Sequence, residues 1–79
     1  MRVYDTSFVF IDDVPDDEAH ILAHTVLKDS PGASSYIADE IDGVPLVHVL
    51  TRQSDGTIRR TDFRGEEIPP GLLSSLGLR

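Results

Sequence analysis

The chain of 79 residues predicts an α+β fold in one domain, with an amphipathic helix packed on a small antiparallel sheet. Three observations carry that expectation. Two Asp-Gly pairs, Asp42-Gly43 and Asp55-Gly56, separate three segments of strand-like composition. Asp-Gly suits tight hairpins because both residues tolerate positive φ, glycine without a Cβ clash. The middle segment, Leu46–Thr51, is apolar on both of its faces, as a central strand should be. Upstream, Ala19, Leu22, Ala23, Val26 and Leu27 recur at helical spacing. The expected order is β-α-β-β-β, closed by a short C-terminal helix.

Residues 2–11, RVYDTSFVFI, read as the first strand, since β-branched and aromatic residues dominate. Phe8 to Ile11 is apolar on both faces, which predicts that this end is covered on both sides. The run Asp12 to Glu18 opens a helix. Asp13 is the expected N-cap, Pro15 an early helical position, and Asp16, Asp17 and Glu18 suit the positive end of the helix dipole. The helix should end near Lys28, before Asp29-Ser30-Pro31-Gly32. Its apolar stripe faces the sheet, and Ile21 points away from it.

Ser35–Ile41 alternates imperfectly, with Asp39 between Ile37 and Ile41, and reads as a peripheral strand. Leu46–Thr51 follows, with Pro45 at its start, where a missing N–H is tolerated. Thr57–Arg64 is more polar, anchored by Ile58 and Phe63. Its three arginines fit an exposed edge. In the tail, Leu72, Leu73 and Leu76 have the spacing of a short helix that Gly77 would stop.

The stretch Tyr36–Arg64 admits a second reading. Ser35–Ile41 would be a first helix, Asp42-Gly43-Val44 a turn, Pro45–Gln53 a recognition helix and Ser54–Glu66 a β-wing. The interval from Gly43 to Val49 matches such motifs, while Ala38 falls one place off their spacing. Over about half the chain this resembles winged-helix regulators. The resemblance implies a DNA-binding regulator using residues 45–64, with His48, Arg52 and Gln53 reading DNA and Arg59, Arg60 and Arg64 meeting phosphates. The β-branched content of VPLVHVLT favours the strand.

Composition bounds the function. Hydrophobic residues make up 39% and charged residues 27%, enough to fold and too little charge for disorder. The net charge is −7, unevenly spread. Residues 1–45 hold ten acids against Arg2 and Lys28, a net of −8. Residues 46–79 hold four acids against Arg52, Arg59, Arg60, Arg64 and Arg79, a net of +1. An acidic field repels nucleic acid and attracts basic partners. The chain has no cysteine, which excludes disulfides and thiolate zinc sites. No leader-like stretch opens the sequence and no apolar run approaches about 20 residues, so a cytoplasmic protein without a membrane segment is expected.

No catalytic set assembles. His20 and His24 are four apart beside Asp17, but Ile21 stands where a metalloprotease motif needs Glu, and no second ligand cluster completes a cage. His48 lies on an apolar strand and reads as a core histidine. Asp5-Thr6-Ser7 resembles the opening of PIN-type ribonucleases, which need more carboxylates over a much longer chain. The sequence therefore predicts a non-enzymatic protein without cofactor or metal. It would regulate or inhibit a larger protein with a basic surface. The residues expected at partners are Asp16, Asp17, Glu18 and Ile21, with Arg52, Arg59, Arg60 and Arg64 as an anion-binding patch. Nucleic acid is the alternative partner.

Overall fold

A computed structural model describes residues 1–78. Arg79, counted above among the cations, lies outside the described residues. The chain forms β1 (Arg2–Tyr4), β2 (Phe10–Asp13), α1 (Asp16–Leu27), β3 (Ser34–Ile41), β4 (Val44–Arg52) and β5 (Ile58–Arg64). A 3₁₀ turn at Gly65–Glu67 leads to α2 (Pro70–Ser75). The five strands form one antiparallel sheet in the order β2-β1-β3-β4-β5. This is the predicted α+β architecture, with meander, long helix and short terminal helix.

Both hairpin turns of the meander form where glycine permits them. Asp42 and Gly43 take φ of 53° and 79°, the paired positive values that match strand twist. At the second turn Gln53 N–H donates to Thr57 O (2.7 Å), and Gly56, at φ 88°, donates to Gln53 O (3.0 Å). This is a turn followed by a glycine bulge.

Strand pairing sorts side chains into rows on alternate faces. Val3, Ile37, His48 and Asp62 form one row under α1. Ala19, Ala23 and Leu27 of α1 are fully buried against Val3, Ile37 and Leu50. The two alanines let the helix approach the sheet closely, and burying Leu27 contributes about 2 kcal/mol. The opposite face carries the rows Arg2–Ala38–Val47–Phe63 and Tyr4–Tyr36–Val49–Thr61. There Ile68, Leu73 and Leu76 seal a second cluster on Tyr4, Ala38 and Val47.

Four expectations are corrected. The segment 35–41 and the segment 44–52 are strands, so the helix-turn-helix has no helices. β3 is not peripheral, because β1 pairs along its free side and buries Ile37 and Ala38. Residues 2–11 are not one strand. Asp5 accepts hydrogen bonds from the backbone N–H groups of Ser7 (2.8 Å) and Val9 (3.0 Å), turning the chain back on itself. Phe8 to Ile11 is consequently not covered on both sides, and all four residues are exposed. Lastly, Asp13 does not cap α1. It belongs to β2 and bonds the Met1 amino group at 3.2 Å, while Pro15 takes the N-cap position with no side-chain bond.

Candidate functional site

Two surfaces combine unusual exposure or chemistry, one on each face of the sheet. The first is the β1–β2 hairpin, which ends in Phe8 (37% exposed), Val9 (57%), Phe10 (51%) and Ile11 (38%). Phe8 has φ of 63°, a left-handed conformation that costs a bulky residue about 1 kcal/mol. Its ring stacks on Tyr36 at 4.6 Å, and the Phe10 ring meets Tyr4 edge-on at 5.9 Å. These contacts hold the hairpin over the α2 face. A notch of about 450 Å³ opens between Phe8, Phe10, Arg2 and the end of α2 at Leu76. β2 is four residues long, lies at the sheet edge, and skips Ile11 in its register with β1. Its continuation is acidic: Asp12, Asp13, Asp16, Asp17 and Glu18 are all exposed.

The second surface is a polar network between α1 and the β4–β5 pair. His48 is buried, and its Nδ1 lies 2.7 Å from Asp62 Oδ1. Arg60 Nε donates to the same oxygen at 2.9 Å. Arg60 holds the Asp62 carboxyl below its usual value, His48 adds to the effect, and partial desolvation opposes it. An ionised Asp62 accepts only, so His48 Nδ1 carries the proton and donates. Arg60 Nη2, 3.2 Å from that nitrogen, is then a neighbour and not its donor. His20 is fixed in the same way. Its Nδ1–H donates to Asp16 O (3.0 Å), which leaves Nε2 to accept from Arg60 Nη1 (3.1 Å). The two imidazoles lie 6.0 Å apart.

Arg52 does different work. Its Nη1 donates to Leu27 O at 3.1 Å and also to Lys28 O, capping the carbonyl end of α1. Beside it a groove of about 570 Å³ runs between α1 and the β4–β5 turn, lined by His20, His24, Lys28, Leu27 and Ile58 among others.

The residues expected at partners are thus dispersed. Asp16, Asp17 and Glu18 occupy the exposed first turn of α1, and Ile21 is 68% exposed on the same helix. The arginines form no single patch. By strand alternation Arg52, Arg60 and Arg64 lie on the α1 face and Arg59 on the other. Asp55, a possible partner for them, instead accepts from Thr57 Oγ1 (2.7 Å) and Thr57 N–H (3.0 Å), which lowers its pKa. Among the described residues no three His, Cys, Asp or Glu side chains are grouped to hold a metal ion, and no helix is long and apolar enough to cross a membrane.

Sequence reasoning missed the exposed hairpin and the His20–Arg60 link. The cluster Asp5-Thr6-Ser7 was an available turn signal for the first. The second joins residues 40 apart, which no local pattern reveals. Comparison with protein-family models, curated proteins and solved structures finds no match to this chain.

Proposed function

We propose that this protein is a non-catalytic interaction module that docks a larger cytoplasmic partner on its β1–β2 hairpin and thereby regulates or inhibits it. The observation that carries this reading is the run of four consecutive exposed apolar residues, Phe8 to Ile11. Contiguous apolar exposure next to polar surroundings marks interaction sites, whereas scattered exposed residues do not. The left-handed φ of Phe8 adds support, since strain persists where surrounding structure over-determines it and clusters at functional segments.

The chemistry of the surface narrows the partner. Asp12 and Asp13 extend the apolar run, with Asp16, Asp17 and Glu18 following. A partner with an apolar contact flanked by Lys or Arg fits this arrangement. The charges speed encounter and set orientation, and the apolar side chains supply the affinity. β2 is too short and too irregular to template a long added strand. Docking therefore proceeds by side-chain packing on the hairpin and into the notch beside Leu76. The winged-helix alternative has no recognition helix to offer and is set aside.

Affinity capture from lysate tests the reading. Replacing Val9 and Ile11 together by Lys abolishes capture without changing the melting curve. Replacing the similarly exposed Ile21 and Ile41 by Lys leaves capture intact. Capture that survives the hairpin substitutions counts against the proposal.

A further inference from the structure

We infer that the groove between α1 and the β4–β5 turn is a binding site for a small amphiphilic anion, one anionic head on an apolar body. It is separate from the hairpin surface and lies on the opposite face of the sheet. Its volume of about 570 Å³ matches small-molecule sites, which typically span about 300–1,000 Å³.

The lining decides the chemistry. The chain carries fourteen Asp and Glu side chains, yet none of them lines this groove. Lys28 and Arg52 supply two cations there, and His24 adds an imidazole. Half-buried Ile58 forms the apolar floor, and Ile21, 68% exposed, forms the rim. An exposed isoleucine beside two cations suits a ligand with both an apolar and an anionic part.

The end of α1 would ordinarily repel an anion, because bare C-terminal carbonyls carry partial negative charge. Arg52 removes that obstacle by donating Nη1 to Leu27 O and Lys28 O. Both of those bonds use Nη1. Among the described residues Nε and Nη2 have no acceptor, which leaves them to grip an oxyanion, the planar donor arrangement that carboxylates favour. The head then sits between Arg52 and Lys28, and the tail lies along Ile58 and Ile21. A long acidic peptide fits less well, since the groove has the size of a single small ligand.

Octanoate, octylamine and octanol form a matched set of probes, read by isothermal titration calorimetry and amide chemical shifts. Octanoate should bind at one saturable site and shift Ile21, Thr25, Gly56 and Ile58. Lys28→Glu, at an exposed position, should weaken octanoate about tenfold or more by reversing the local charge, with an unchanged circular dichroism spectrum. The inference is overturned if octylamine or octanol binds as tightly, if Lys28→Glu binds as wild type does, or if the shifts map to Phe8–Ile11. It is also overturned if an oligoglutamate peptide saturates the groove and octanoate does not.

Discussion

Arg60 Nη1, on edge strand β5, lies 3.1 Å from His20 Nε2, on helix α1. The bond joins an outer strand to a helix whose main packing is on the inner strands β1, β3 and β4. It requires the lone pair of a neutral His20, because a protonated imidazole would set two cations face to face. The same guanidinium holds Asp62, which in turn holds buried His48. One side chain thereby couples helix, edge strand and core histidine.

Removing that side chain has a predictable cost. Arg60→Ala should lower stability by about 1 kcal/mol, the net worth of a solvent-competed hydrogen-bond set. Arg60→Lys should recover little, since an ammonium lacks the fork that reaches Asp62 and His20 together. Urea denaturation of the three proteins measures both differences. Equal midpoints for Arg60→Ala and wild type would remove the coupling.

The Asp62 carboxyl links stability to pH. Its folded pKa is depressed below the ordinary value of 3.8, chiefly by Arg60. A depressed acid stabilises the fold above its unfolded pKa, and the contribution is lost as pH falls through the folded value. Asp62→Asn should therefore be less stable than wild type at neutral pH, and the gap should close as pH drops below 3.8. Thermal melts across that range read the gap. A difference that stays constant into strong acid would contradict the assignment.

Arg52 is committed to the end of α1. Arg52→Met keeps much of the apolar stem and removes the donors to Leu27 O and Lys28 O. A loss of about 2 kcal/mol is expected, because charged donors make the stronger hydrogen bonds. Hydrogen exchange should accelerate first in the last turn of α1. Uniform acceleration throughout the chain would indicate a packing defect instead.

The Asp42-Gly43 turn offers a purely conformational test. A Cβ at Gly43 would meet nothing within 4 Å, but the residue sits at φ 79°. Gly43→Ala should cost about 1 kcal/mol from the left-handed backbone alone. A neutral result in chemical denaturation would show that the turn relaxes to another geometry.

Much of the fold was legible because it is locally encoded. The Asp-Gly pairs fixed both meander turns, and the α1 stripe found its sheet. Leu46–Thr51 read as an inner strand because its burial is two-sided, with His48 on one face and Val47 on the other. What escaped depends on distant pairing. β3 looks peripheral in its own composition and becomes inner only because β1 returns beside it. Phe8 to Ile11 looks like a buried strand end, yet its side chains lose cover when Asp5 turns the chain. The arginines read as one patch along the sequence, but strand alternation sends Arg59 to the opposite face from Arg60.

The proposed docking surface is Phe8–Ile11. Site-specific photocrosslinking in cells tests it most directly, with Val9 replaced by p-benzoylphenylalanine and, separately, Ile41. Val9 and Ile41 are 57% and 48% exposed, so the two positions differ in location and not in access. Crosslinking from position 9 should give a discrete adduct with one larger protein, and position 41 should give none. No adduct from position 9, or equal adducts from both positions, would contradict the account.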